Sequence, residues 1–91
     1  MKAQFYERGD LVTIQVCGRL VSGWVQELER CWTAARATHP ESHFAVDLRG
    51  VSFVDHAGER LLRSMHSEGA TFLAAGLLIQ EVVDHITGGS K

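Results

Sequence analysis

The first candidates for chemistry are an aspartate and a histidine that stand side by side in FVDHAGERLL, residues 53–62. An Asp–His pair could serve general acid–base catalysis. Asp55, however, directly precedes a helical pattern, where an aspartate accepts hydrogen bonds from backbone N–H groups of the helix. Adjacent residues at a helix start also point in different directions. We therefore interpret Asp55 as a helix cap and not as the catalytic partner of His56.

A metal site is the second chemistry to consider, because the chain has five histidines. His56 and Glu59 are three residues apart and could share a helix face, but a metal site needs further ligands that converge from elsewhere. His66 is nearly three turns further along the same helix, and Asp47 and Asp55 have no obvious reason to converge on the pair. His39 and His43 flank Pro40 in a loop, with a spacing that gives only a weak signal. We expect no metal.

Nucleophilic and cofactor chemistry have no support in the motifs. Cys17 and Cys31 lie in strand and helix core patterns, without metal-site spacing, and we interpret both as free thiols of a reducing cytoplasm. The sequence has no phosphate-binding glycine loop and no G-x-S-x-G nucleophile elbow. We therefore expect no catalytic residues, no cofactor and no enzymatic activity.

Composition limits the remaining classes. The chain has 91 residues, which predicts one domain over 1–91 with a core of about 3–86 and a flexible tail at 87–91. A net charge of −2 without a basic stripe argues against nucleic-acid binding. The apolar runs are too short to span a membrane, and MKAQFYERGD has no apolar leader region. The expectation is a cytoplasmic protein that is not inserted in a membrane.

The first half of the chain predicts two strands and a helix. QFYERGDLVTIQVCG alternates as two strands joined at RGD, with Val12, Ile14 and Val16 facing the core. SGWVQELERCWTAARA is a helix with Ser22 as its expected N-cap. Its predicted buried face consists of Trp24, Leu28, Cys31, Trp32 and Ala35.

The second half adds two strands and two helices. HFAVDLRG is predicted to be a buried strand that ends in a turn, from which GVSFVD leads into a helix over DHAGERLLRSMHSEG. ATFLAAG is predicted to be a third buried strand, and LLIQEVVDHI is a helix with an apolar face formed by Ile79, Val82, Val83 and Ile86. The order ββαβαβα predicts a mixed sheet with helices packed against it.

These segments together resemble the STAS domain, the fold of the anti-sigma factor antagonists. VTIQVCGRL, then a helix, then FAVDLRGVSFVDHAGERLL and GATFLAAG match the family in order and spacing over about residues 3–86. Gly58 three residues after Asp55, and a Gly18-Arg19-Leu20 turn before the first helix, fit the same pattern.

The resemblance implies a bacterial, non-enzymatic interaction module of transcription signalling that docks on a kinase-type anti-sigma factor. Many members are switched by phosphorylation of a serine directly after the capping aspartate, and here that position is His56. The phospho-acceptor equivalent cannot therefore be phosphorylated by a serine/threonine kinase. The expected partner-binding residues are Ser52, Asp55, His56, Gly58, Glu59, Arg60 and Arg63.

The alternatives are also of this fold. One is a small subunit that docks on the ATPase of an ABC transporter, and another is a module that binds a nucleotide or lipid. An open edge strand could also pair two copies into a homodimer. For His56 the first hypothesis is constitutive docking with no switch; the second is an acid sensor that alters docking below about pH 6.5. Ser52 is a candidate second phospho-acceptor, although a local hydrogen bond in the turn is the favoured interpretation.

Overall fold

The secondary structure follows the predicted ββαβαβα order. The structure is a computed structural model, and it describes residues 2–88. Its seven elements are β1 Lys2–Arg8, β2 Leu11–Leu20, α1 Ser22–Thr38, β3 His43–Val54, α2 His56–Ser67, β4 Thr71–Leu73 and α3 Leu77–Thr87. Of the predicted tail, residues 89–91 lie outside the described part of the chain.

The four strands form one mixed sheet in the order β1-β2-β3-β4. The β1–β2 hairpin is antiparallel, with Phe5 opposite Ile14, and it turns at Gly9 and Asp10 as the sequence predicts. The β2–β3 and β3–β4 pairs are parallel. Parallel neighbours need crossover connections, and right-handed crossovers between successive neighbours place α1 and α2 on one face of the sheet.

The two-layer arrangement accounts for the dimensions of the molecule. It measures 32 × 31 × 19 Å, so it is thin along the axis that crosses the sheet and a single helix layer. The other sheet face carries no described helix. The second and third helices lie next to each other, and α3 also contacts β3. The carboxyl ends of the parallel strands therefore lie at one edge of the molecule, where the helices begin.

The core lies between this helix layer and the sheet. Val12, Ile14 and Val16 are buried as predicted, because alternate residues of β2 face the helices. The Trp32 ring meets Phe44 edge-to-face, with a distance of 5.1 Å between the ring centroids. The remaining buried apolar residues are Leu20, Val25, Leu28, Ala35, Val46, Leu48, Val51, Leu61, Leu62, Met65, Ala70, Ile79, Val83 and Ile86.

Two predictions for α1 are wrong. Ser22 is not the N-cap but the first helical residue; Val21 takes the cap position and has no capping side chain. Trp24 is not buried either, since 46% of it is exposed. The buried face consists of Val25, Leu28, Trp32 and Ala35, so Val25 takes the place of Trp24, which lies at the edge of this face, and Cys31 is only half-buried.

Three predictions for the strands are also wrong. The third strand does not stop in a turn at Gly50 but continues to Val54. Residues 18–20 belong to β2; Gly18 has a φ of 99°, which favours glycine, and the β2–β3 register shifts between Gly18 and Arg19. The short β4 lies at the sheet edge with Thr71 and Leu73 exposed, so it is not a buried strand.

Candidate functional site

Asp55 links the N-termini of two helices through its carboxylate. Its Oδ1 accepts a hydrogen bond from the Gly58 N–H at 2.8 Å, which is the N-cap of α2 that the sequence predicts. Its Oδ2 accepts a hydrogen bond from the Ser22 N–H at 2.9 Å, at the start of α1. One side chain thus satisfies a free backbone donor of each helix. Each oxygen accepts one backbone hydrogen bond, so the carboxylate of Asp55 joins the starts of the two helices.

Gly58 is buried directly behind this bridge and is not part of the exposed surface. A Cβ atom at this position would lie 2.7 Å from the Leu20 carbonyl oxygen and 2.9 Å from Val54 Cγ1. The backbone of β2 also holds the loop, because the Asp55 N–H donates to the Leu20 carbonyl oxygen at 3.1 Å. Gly58 therefore lets the first turn of α2 pack against β2, and the expectation that it touches a partner directly does not fit its burial.

His56 occupies the first position of α2, and it is exposed. Ser52 is exposed near the end of β3, and its hydroxyl lies 3.4 Å from the Gly18 carbonyl oxygen of β2. The expected local hydrogen bond in a turn is therefore wrong, because the partner lies on the neighbouring strand, 34 residues away in the sequence. Asp55 is half-buried between these residues. The structure thus brings the loop residues and the first turn of α2 together at the edge where the parallel strands end.

The charged residues of α2 divide between two flanks of the helix. Arg60 faces the groove between α1 and α2, whose wall also includes Ser22 and Glu29. Glu59 faces α3, and it holds Arg63 in an ion pair at 2.9 Å on the exposed helix surface. The predicted docking residues therefore form two neighbouring faces, with His56 at their common end.

Several features of this region were not anticipated from the sequence. Leu77 and Leu78 are 88% and 56% exposed at the start of α3. The guanidinium of Arg19 lies 5.2 Å from the centre of the exposed Phe53 ring. A signal for Leu77 was present, because helical periodicity puts it on the same side as Glu81 and not with Ile79.

A buried carboxylate lies on the sheet face that carries no described helix. Asp47 is almost fully buried, and its two oxygens accept hydrogen bonds from Arg49 Nε and Nη2, both at 2.9 Å. The hydrogen bonds from Arg49 hold the pKa of Asp47 below its usual value, against the opposing effect of burial. Both oxygens are occupied, so this carboxylate also has a structural role.

Residues 2–88 include no group of three or more His, Cys, Asp or Glu side chains that could hold a metal ion. Cys17 and Cys31 are half-buried free thiols. Within the same part of the chain no helix is long and apolar enough to cross a membrane. An apolar groove of about 310 Å³ opens between β1 and α1; it is lined mainly by Phe5, Val12, Cys31, Ala34, Ala35 and His39.

Comparison with known proteins identifies the fold. No protein-family model and no curated protein matches the sequence. Among solved structures, the chain is similar to the anti-sigma factor antagonist SpoIIAA in its unphosphorylated form, with 16% identity, a TM-score of 0.64, and coverage of 99% of this chain and 100% of SpoIIAA.

Two larger proteins contain a similar part. One is the murine anion transporter Slc26a9 in its inward-facing state, with 19% identity, a TM-score of 0.67 and coverage of 88% of this chain. The other is the protein Mglu, with 19% identity, a TM-score of 0.62 and coverage of 81% of this chain. The chain spans only 14% of the transporter and 19% of Mglu. The sheet order, the three helices and the full-length match to an anti-sigma factor antagonist together show that this chain has a STAS-like fold.

Proposed function

We propose that this chain is a non-enzymatic protein-interaction module that acts as an anti-sigma factor antagonist in bacterial transcription signalling. It docks on its partner through the β3–α2 loop and the exposed side of α2. The contact residues are Ser52, His56, Glu59, Arg60 and Arg63, and Asp55 and Gly58 hold this surface in shape from below. The protein acts in the cytoplasm.

The observation that carries the proposal is the contrast between two neighbouring residues at the start of α2: Asp55 is bound to the backbone, and His56 is exposed. The carboxylate of Asp55 holds the starts of two helices, since both of its oxygens accept backbone hydrogen bonds. The groups that remain free, above all His56, are exposed on a helix that is anchored to two neighbouring elements. A rigid exposed helix end without a reactive constellation is suited to binding another protein.

The identity of residue 56 bears on regulation. A phosphoserine at this exposed position would add a charge of about −1.5 to −2 in the middle of the docking surface. His56 has no hydroxyl group, so a serine/threonine kinase cannot introduce this charge. The module is therefore constitutively ready to dock, and its regulation lies with the partner.

Two partner classes fit such a surface: a kinase-type anti-sigma factor, which we favour, and the ATPase of an ABC transporter. Affinity capture from the native organism with protein identification separates them. The test variant is His56→Glu, and His43→Glu is the matched control because His43 is also exposed but starts β3 at the opposite end of the sheet. An acidic residue in the first turn of a helix is favourable, so His56→Glu is expected to fold.

The proposal predicts that the partner captured by the wild type is lost with His56→Glu and retained with His43→Glu. Equal capture by both variants would contradict it. Incubation with the captured kinase and ATP, followed by mass spectrometry, should add no phosphate; phosphate on Ser52 or His56 would refute constitutive docking.

A small-ligand module is the second candidate function, and the apolar groove between β1 and α1 favours it. Glu7 and His39 both line the groove, and their side chains touch at 2.7 Å between Oε2 and Nε2. A thermal-shift screen of nucleotides and lipids tests this candidate. A ligand that stabilises the wild type but not Ala34→Trp, in a chain that captures no protein, would favour it. Homodimerisation through the open edge of β1 stays a prediction.

A further inference from the structure

Two leucines at the start of α3 are exposed without a role in the core. Leu77 and Leu78 are 88% and 56% exposed, whereas Ile79, Val83 and Ile86 supply the buried face of the helix. Adjacent exposed leucines next to a groove are an apolar surface suited to binding. Because these two side chains do not pack in the core, they are available for contact with another molecule.

The groove beside these leucines combines apolar and acidic groups. It lies between α2 and α3 and is lined by the apolar side chains of Leu78 and Val82 together with Glu59, Glu81 and His85. Glu59 is paired with Arg63 at 2.9 Å and lies 3.8 Å from His85. Glu81 forms no ion pair within residues 2–88, so its charge is available to an incoming group.

This charge pattern selects the occupant. The charge of Glu59 is already balanced by Arg63, so the carboxylate of Glu81, unpaired among the described residues, is the charge that repels the anionic headgroups of a membrane surface and attracts a cation. An arginine side chain fits both features, because its methylene stem packs on apolar groups while its planar guanidinium binds carboxylates.

We propose that the groove between α2 and α3 binds an arginine of the protein partner. Its guanidinium lies at Glu81, beside the Glu59–Arg63 pair, and apolar residues beside it in the partner pack on Leu77 and Leu78. This inference rests on the proposed function, because it specifies the chemistry of the partner at a surface that adjoins His56 through Glu59.

The test uses a defined probe. The peptide Ac-Leu-Arg-Leu-NH₂ is titrated into the ¹⁵N-labelled full chain, and amide shifts are followed by NMR. In the comparison peptide citrulline replaces arginine, which keeps the shape and removes the charge. Glu81→Gln is the test variant, and Glu29→Gln, on the wall of the groove between α1 and α2, is the matched control.

The expected shifts cluster at Glu59, Leu78, Glu81, Val82 and His85. Because exposed charge pairs are weak, the citrulline peptide and the Glu81→Gln variant should each bind about two- to fivefold more weakly, with Glu29→Gln unchanged. No shifts up to 20 mM peptide, shifts centred elsewhere, or equal binding of both peptides would overturn the proposal.

The other occupants are tested in parallel. Sedimentation with vesicles of phosphatidylglycerol and phosphatidylcholine should leave the protein in solution, and sedimentation velocity should show no dimer that the substitution Leu77→Ser dissociates. Binding to the vesicles, or a dimer that Leu77→Ser dissociates, would overturn the proposal. If the captured partner binds His56→Glu more weakly but binds Glu81→Gln as tightly as the wild type, the proposed arginine site in the groove is refuted, and the proposed function is not affected.

Discussion

Removing the Asp55 carboxylate should destabilise the protein by more than the loss of an ordinary helix cap. In Asp55→Ala, α2 loses its N-cap bond at Gly58, which costs about 1 kcal/mol. The first N–H of α1, at Ser22, loses its acceptor as well, and this partly solvated bond to a charged group contributes about the same amount. The expected loss is about 2 kcal/mol, which corresponds to a fall of roughly 8–16 °C in Tm for a chain of this size.

Asp55→Asn separates the two contributions. Asparagine is as good an N-cap as aspartate, so its oxygen can keep the bond to Gly58. Its amide nitrogen then faces the Ser22 N–H, and two donors meet where an acceptor is needed. We expect a loss of about 1 kcal/mol, with Asp10→Asn in the exposed β1–β2 turn as the charge-matched control.

Urea unfolding at neutral pH measures these free energies, and amide hydrogen exchange at Ser22 and Gly58 reports each bond separately. Asp55→Asn should accelerate exchange at Ser22 and leave Gly58 protected, whereas Asp55→Ala should accelerate both. If Asp55→Asn is as stable as the wild type, the link to α1 contributes nothing. If Asp55→Ala costs less than about 0.5 kcal/mol, which is the low end for a single cap, the account of the bridge is refuted.

Other substitutions test the packing of α2 on β2 and the ion pair between the buried Asp47 and the exposed Arg49. Gly58→Ala should destabilise by about 1–3 kcal/mol because its Cβ would meet the backbone oxygen of Leu20, whereas Gly23→Ala, which has open space around the new Cβ, should stabilise α1 by roughly 0.5–1 kcal/mol in the same unfolding assay. Equal effects of the two changes would contradict the close packing. Hydrogen bonds from Arg49 lower the pKa of Asp47 in the folded protein. The ionised carboxylate therefore contributes its full stabilisation above the unfolded-state pKa of about 3.9, and this contribution is lost as the pH falls through the pKa of the folded state. The free energy difference between wild type and Asp47→Asn should therefore stay constant above about pH 5 and shrink below about pH 4; a difference that does not change with pH would show that the ion pair is not responsible.

The fold could be predicted from the sequence because its signals are local. The alternation in β2 and the buried face of α3 can each be predicted from the residues of that segment alone, and Asp55 is recognisable as a cap from the residues that follow it. The ββαβαβα order then limits the sheet to parallel neighbours joined by helices.

The wrong predictions concern contacts between distant segments. The start of α1 was predicted wrongly because the N–H of its first residue, Ser22, donates to Asp55, which is 33 residues away in the sequence. Capping rules consider only residues close to the helix start and cannot predict such an acceptor. Trp24 and Val25 lie at opposite edges of the apolar face of α1, and only the packing of α1 on the sheet decides that Val25 enters the core. Gly58 was taken for a surface residue because its tight fit against Leu20 depends on how α2 meets β2.

The most direct test of the central claim is a hydrogen-exchange footprint of the captured partner on this chain. The account predicts slower exchange on binding for amides from Val54 to Arg63 and at the start of α3, with the amides of β1 unchanged. Protection confined to β1, or to the sheet face that carries Asp47, with no change along α2, would contradict docking through this surface.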